Sequence, residues 1–164
     1  MTSRTLIMPI GIPGCGKSTF MCHLNEKYGI PVVSSDSVRE ELYGDESIQG
    51  DSNQVFNIVY KNINNHLENE GVCILDATNV TRKVRIKAIK KTNPTQVIYI
   101  LMDNNIHQAL SRNSKRERVV PKHVIIRMRQ SFTNDFPDYK ELDDFNVKMF
   151  QYTDIGLERF LEAI

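Results

Sequence analysis

The chain has 164 residues, of which 40% are hydrophobic and 25% are charged, and its formal net charge is +1. This size and composition predict one soluble globular domain over residues 1–164 and argue against a disordered or fibrous protein. No apolar run reaches the roughly 18 residues of a membrane-spanning helix, and three cysteines without metal-site spacing argue against a disulfide framework, so we expect a cytoplasmic protein with no membrane partner.

Strand and helix patterns alternate along the chain. Short apolar runs predict strands at residues 6–10, 30–34, 71–76, 96–102 and 146–152, although Pro9 weakens the first. Helical spacing predicts helices at 17–28, 36–42, 53–69, 82–91, 106–116 and 154–164, and Pro121 opens another. This alternation is typical of an α/β fold with a mainly parallel sheet flanked by helices.

Residues 11–18, with the sequence GIPGCGKS, match the pattern G-x-x-x-x-G-K-[ST] between the first strand and the first helix. Glycines let backbone N–H groups turn inward around an anion, and the helix start adds the positive end of its dipole. The pattern predicts a phosphate-binding loop (P-loop) in which Lys17 reaches the terminal phosphates and Ser18 offers its hydroxyl to Mg²⁺. The predicted contacts of the nucleotide, ATP or GTP, are Gly11, Gly14, Cys15, Gly16, Lys17, Ser18 and Thr19.

A carboxylate and a guanidinium, Asp36 and Arg39, follow the second predicted strand at a spacing of three. In open α/β sheets, ligands bind beyond the carboxyl ends of the strands, and helical residues three apart face the same way. Asp36 is therefore a candidate general base for an attacking hydroxyl, and Arg39 is a candidate phosphate ligand. The alternative is that Asp36 caps the helix and that Arg39 is solvated.

Asp76 ends the third predicted strand. This is the usual position of the acid that helps to hold Mg²⁺ in P-loop enzymes, so Asp76 joins Ser18 as a candidate metal ligand. The alternative is a turn residue that simply ends the strand.

Two arginines, Arg112 and Arg116, lie four residues apart in a basic stretch before Pro121. We expect them on one helix face, in a lid near residues 112–130 that presents arginines to the transferred phosphoryl group. Basic residues concentrate at 82–91 and at 112–129. These segments either hold a polyanion such as nucleic acid or form two solvated helix faces.

Taken together, the motifs resemble those of the polynucleotide 5′-hydroxyl kinase family, the kinase modules of nucleic-acid end-repair enzymes. The matching motifs are Gly11–Ser18, Ser35-Asp36-x-x-Arg39, Asp76-Ala77-Thr78-Asn79 and Arg112-x-x-x-Arg116. The resemblance runs from the first strand to about Phe132. It implies a P-loop NTPase three-layer sandwich with a helical lid, and Mg²⁺-dependent transfer of the γ-phosphate of ATP to a nucleic-acid 5′-OH end.

The resemblance also implies roles for single residues. Asp36 is the general base, Arg39 engages the phosphate of the acceptor, and Arg116, with Arg112 nearby, contacts the donor phosphates. A small-molecule kinase of the same fold, with a nucleoside, sugar or nucleotide-sugar acceptor, shares the loop, the base and the lid. A non-enzymatic nucleotide switch is a second alternative, and it requires no role for Asp36.

Overall fold

The computed structural model describes residues 3–164 and contains a five-stranded sheet in which every neighbouring pair of strands is parallel. The sheet order is β2-β3-β1-β4-β5. The strands are β1 (Thr5–Ile10), β2 (Val32–Ser34), β3 (Val72–Asp76), β4 (Gln96–Leu101) and β5 (Val147–Gln151). The predicted α/β class and all five predicted strands are confirmed.

Eight helices connect and flank these strands. They are α1 (Lys17–Tyr28), α2 (Ser35–Tyr43), α3 (Ser52–Asn69), α4 (Arg82–Thr92), α5 (Ile106–Asn113), α6 (Lys122–Asn134), α7 (Tyr139–Asp144) and α8 (Ile155–Glu162). The connection from β1 to β2, through α1, moves toward one edge of the sheet. The later connections, through α3, α4 and α5–α7, each move toward the other edge. Because such crossovers are right-handed, α1 lies on one face of the sheet and the other connecting helices lie on the opposite face. An ion pair between Lys27 and Glu158 places α8 beside α1.

The elements differ from the sequence prediction in two places. Helix α5 ends at Asn113 instead of continuing to residue 116, and α7 was not predicted. The six residues of α7, YKELDD, carry too few apolar positions to show a helical period, and the helix is started by the Asp138 carboxylate, which accepts from the Glu141 N–H.

Pro9 lies inside β1, although β1 is a central strand. The register between β1 and β3 ends at the pair Ile7 and Ile74, so no strand neighbour needs an N–H group from residue 9 on that side. The Pro9 carbonyl instead accepts a hydrogen bond from the Asn79 side chain (2.9 Å). A proline is tolerated here because β1 and β3 are no longer paired at residue 9, although β1 stays paired with β4 through Ile10.

The hydrophobic core covers both faces of the sheet, and the residues of β1 are all buried. Among the described residues, no helix combines the length and the apolar character that crossing a membrane requires.

One basic residue of the 82–91 segment belongs to the core. Arg85 is fully buried, and its Nε and Nη2 atoms donate to the two carboxylate oxygens of Glu141 (2.7 and 3.0 Å). The hydroxyl of Tyr99 donates to the same carboxylate (2.8 Å), and Arg85 Nη1 donates to the carbonyl of Asn79 (3.0 Å). The interpretation of this segment as a uniformly solvated face is therefore wrong at Arg85.

Candidate active site

The P-loop leaves β1 at Ile10 and enters α1 at Lys17. Gly14 and Gly16 have φ angles of +83° and +94°, a region that glycine adopts without strain. A Cβ atom at Gly14 would also overlap the carbonyl oxygen of Ala109 in α5. Gly16 has no side chain that caps α1, so the first N–H groups of this helix remain free for an anion.

Loops that follow neighbouring strands fix the P-loop. The Ile12 N–H donates to Asn104 Oδ1 (3.0 Å), and the Asn104 amide group donates to the Met102 carbonyl (2.7 Å). The Gly11 N–H donates to the carbonyl of Thr78 after β3 (3.0 Å). The loop is therefore held by hydrogen bonds that do not involve a phosphate.

The ammonium group of Lys17 lies under the P-loop. Its Nζ donates to the carbonyls of Gly11 (2.8 Å) and Ile12 (3.3 Å) and lies 3.8 Å from the Cys15 sulfur. Burial lowers the pKa of Lys17, and attraction to Cys15 and Asp76 opposes this shift. Because burial disfavours the ammonium charge, an anion bound at the loop would stabilise it.

Asp76 is the last residue of β3 and is half-buried opposite Ser34 of β2. Burial raises the pKa of Asp76, attraction to Lys17 lowers it, repulsion by Asp36 raises it, and Arg116 lowers it. The charges of Lys17, Asp36 and Arg116 therefore lie close enough to Asp76 to influence its carboxylate.

Asp36 and Arg39 form an ion pair in the first turns of α2. Arg39 Nη1 lies 3.1 Å from Asp36 Oδ1, and the exposed fractions of the two side chains are 9% and 48%. Ser34, not Asp36, caps the helix, since its hydroxyl accepts from the N–H groups of Asp36 and Ser37. The alternative of a capping aspartate beside a solvated arginine is therefore wrong. Arg39 Nε is buried and has no hydrogen-bond partner within residues 3–164.

A further arginine, Arg118, contacts Asp36 from the turn between α5 and α6. Its Nη1 lies 3.6 Å from Asp36 Oδ2 and 3.5 Å from Glu46 Oε1 in the loop that follows α2. Arg118 thus links the lid to both sides of the Asp36 pocket. The sequence carries no local signal for this contact, because both partners lie far earlier in the chain.

The segment predicted as a lid, near residues 112–130, comprises the end of α5, a turn and most of α6. The turn is closed by Asn113, whose side chain donates to the Val120 carbonyl (2.8 Å) and accepts from the Val120 N–H (3.0 Å). The Arg112 guanidinium lies beside Gly16, within 3.7 Å of the position that a Cβ atom would occupy there. The prediction that Arg112 and Arg116 share a helix face is wrong, because α5 ends at Asn113 and the Arg116 N–H bonds to its carbonyl in the turn.

The predicted nucleotide contacts differ in exposure. Ser18 and Thr19 are exposed in the first turn of α1, where their hydroxyl groups are accessible to a ligand. Cys15 is buried, so its side chain packs below the loop and only its backbone faces the anion-binding turn.

Sequence reasoning missed the amide side chains that shape the pocket. Asn79 has a φ of +55° and donates to the carbonyls of Pro9 (2.9 Å) and Ala77 (3.1 Å). Asn104 and Asn113 are buried as well. Asn79 ends the motif Asp76-Ala77-Thr78-Asn79. Asparagine is so common in loops that its presence alone does not indicate that it bonds to the backbone of a neighbouring strand.

A family profile described as an AAA domain matches residues 6–134, most of the chain. The chain belongs to this family. Comparison with curated proteins gave no sequence match.

Solved structures share the fold. A chain in the structure of the Pnkp1/Rnl/Hen1 RNA repair complex matches with a TM-score of 0.73 and 19% identity, over 82% of the present chain and 46% of its own length. A gluconokinase from Sinorhizobium meliloti matches with a TM-score of 0.55 and 14% identity, over 99% and 97%. A sugar kinase from Janibacter sp. matches with a TM-score of 0.60 and 16% identity, over 98% and 91%.

These likenesses confirm the P-loop kinase fold, which implies nucleotide binding. The chain spans less than half of the matched chain from the RNA repair complex, whereas it spans nearly all of the two sugar-kinase chains. The matched structures therefore include a chain from an RNA repair complex as well as two kinases named for gluconate and sugar.

Proposed function

We propose that this protein is a polynucleotide kinase, which transfers the γ-phosphate of ATP to the 5′-OH end of RNA or DNA. The observation that carries the proposal is the ion pair of a half-exposed Asp36 with a buried Arg39, in a pocket shared with Lys17, Asp76 and Arg116. A carboxylate oriented in this way can accept a proton, and a guanidinium with an unsatisfied donor can bind a phosphate.

The donor triphosphate binds at the P-loop, where free N–H groups of α1 and the Lys17 ammonium compensate its charge. Arg112, which lies beside Gly16, and Arg116 supply further positive charge from the lid. Arginines in this position stabilise the charge that builds up on the transferred phosphoryl group.

Two side chains fit a magnesium ion. Ser18 exposes its hydroxyl in the first turn of α1, and Asp76 carries a carboxylate whose pKa is raised by burial. A divalent cation would stabilise the ionised form of this carboxylate. When bound, Mg²⁺ neutralises the β- and γ-phosphate oxygens of the donor.

In the proposed reaction, Asp36 takes the proton of the attacking 5′-hydroxyl. The hydroxyl oxygen forms a bond to the γ-phosphorus in line with the breaking bond to the β-phosphate oxygen, and ADP leaves. Arg39 holds a phosphate of the acceptor strand, which fixes the hydroxyl near Asp36. One of the matched structures is that of an RNA repair complex, which supports a nucleic-acid acceptor.

A small-molecule kinase is the second candidate, because the chain matches a gluconokinase and a sugar kinase along almost their full length. In that case Asp36 has the same role, and the acceptor is a small alcohol.

The deciding experiment measures transfer from labelled ATP to 5′-OH RNA and DNA oligonucleotides, in parallel with gluconate, other sugars and nucleosides. We expect transfer to oligonucleotides, near-complete loss in Asp36→Ala with nucleotide binding retained, and full activity in the control Asp144→Ala, which removes an exposed carboxylate of α7.

Transfer to a sugar or nucleoside alone would refute the polynucleotide acceptor. An Asp36→Ala variant that keeps full activity would refute the role of Asp36 as the general base. A protein that binds nucleotide but transfers phosphate to none of these acceptors would favour the non-enzymatic nucleotide switch.

A further inference from the structure

Helix α4 exposes a row of lysines on the side that faces away from the sheet. Lys83, Lys87, Lys90 and Lys91 are exposed, whereas Arg85 is buried. None of these four lysines forms an ion pair with any residue of 3–164, although the chain contains 20 acidic residues. A group of like charges without counter-charges attracts an anionic partner.

The lysines border an open groove of about 700 Å³. Its lining residues are Arg82, Lys83, Ile86, Lys87, Lys90, Lys91 and Asp135. The one acid of the lining, Asp135, is engaged at the start of α4, where its carboxylate accepts from the Arg82 N–H (3.3 Å), and Arg82 itself pairs with Asp138 (2.9 Å). The lysine ammonium groups thus remain the dominant charges of the groove.

We propose that this α4 groove binds the sugar–phosphate backbone of the acceptor strand, beyond its reacting 5′ end. The inference rests on the proposed function, because it assigns a second binding region for the same polynucleotide. Lysines in a row bind successive phosphates as point charges without reading the bases. The half-buried Ile86 and the lysine methylene chains form a floor against which sugars can pack.

The position of α4 is compatible with a strand that starts at the candidate active site. Helix α4 begins six residues after Asp76, so its start lies within about 20 Å of that residue along the chain. From Lys83 to Lys91 the helix extends about 12 Å away from the carboxyl ends of the strands and toward their amino ends. At about 3.4 Å per nucleotide, a strand that reaches the last lysine has on the order of ten nucleotides.

The test compares acceptors of two lengths, a trinucleotide and a 20-mer with a 5′-OH end, in the full chain. The groove variant Lys83→Gln/Lys87→Gln/Lys90→Gln removes three positive charges. The control Lys27→Gln/Lys148→Gln/Arg159→Gln removes three from exposed positions on α1, β5 and α8, outside the groove. Fluorescence anisotropy measures binding of the 20-mer at several salt concentrations, and labelled ATP measures transfer.

For the groove variant we expect a KM for the 20-mer at least tenfold higher and a KM for the trinucleotide within twofold of the parent. The slope of log Kd for the 20-mer against log salt should fall by about 2, at about 0.7 per lost phosphate contact. The control variant should have the same KM for both acceptors and the same salt slope of log Kd as the parent. If the triple variant does not fold, Lys87→Glu alone tests the same length dependence.

An unchanged KM for the 20-mer, or equal effects of the groove variant and the control, would refute binding of the acceptor strand by the α4 groove. Neither result would contradict the proposed kinase activity. A groove variant that loses binding of polyglutamate but not of the 20-mer would overturn it in favour of an acidic polypeptide. A parent protein that transfers phosphate to neither acceptor would instead refute the proposed function.

Discussion

Replacing Arg85 with methionine would leave the Glu141 carboxylate buried without a charged partner. The exposed fractions of the two side chains are 0% and 1%, so water cannot replace the lost guanidinium. Glu141 would keep the hydroxyl of Tyr99 as a hydrogen-bond donor. Breaking a buried ion pair from one side typically costs about 3–5 kcal/mol of stability.

We therefore expect the Arg85→Met variant to lose about 4 kcal/mol of unfolding free energy at pH 7. For a domain of this size, this loss lowers Tm by about 8–16 °C.

Thermal and urea unfolding at pH 7, followed by circular dichroism, measures the effect. The matched control is the double variant Arg85→Met/Glu141→Leu, in which no charge stays buried and most of the stability should return. A loss below about 1 kcal/mol in Arg85→Met, or a double variant that is no more stable than Arg85→Met, would refute the reasoning.

Two further predictions concern the pocket. Burial raises the pKa of Asp76, so its contribution to stability is present below the ordinary aspartate pKa of about 3.9 and is lost as pH rises through the raised value. Without ligands, Asp76→Asn should be more stable than the parent in urea at pH 7, with no gain near pH 4, and a gain equal at both pH values would contradict this. Asn113→Ala removes two hydrogen bonds to Val120, at about 1 kcal/mol each, and should speed tryptic cleavage within residues 114–120 several-fold, whereas the exposed Asn134→Ala should not.

The strands and the P-loop were predictable because their signals are local. The run Leu6–Ile10 is apolar and short, and Gly14 and Gly16 stand where the backbone angles favour glycine. Parallel strands also bring their carboxyl ends to one side of the sheet, and Asp36 lies near Asp76 because β2 and β3 are neighbours, an order that the sequence alone does not predict.

The end of α5 was not predictable from the sequence. Ser114, Lys115 and Arg116 are acceptable helix residues, so the helical pattern continues past Asn113. The helix ends there because the Asn113 side chain pairs with the backbone of Val120, seven residues later, and closes the turn. A pattern of single residues does not contain this contact.

Two basic residues were misread for a related reason. Arg85 and Arg129 look like surface charges in basic segments, but each has a distant partner. Arg85 binds Glu141, 56 residues later, and Arg129 Nε donates to the carbonyl of Asn104 (2.9 Å). The sequence shows how many charges a segment has, whereas packing decides which of them face the solvent.

Neutral amides and buried cations together hold the loops that follow β1, β3 and β4. Asn104 bonds to the backbone of the P-loop, Asn79 bonds to β1, and Asn113 closes the turn after α5. An amide offers both a donor and an acceptor, so one side chain satisfies two backbone groups without burying a charge. Cations add to these bonds, because Lys17 donates to the Gly11 carbonyl and Arg85 donates to the Asn79 carbonyl. The backbone of these loops is therefore hydrogen-bonded to the protein itself, by bonds that do not involve a phosphate.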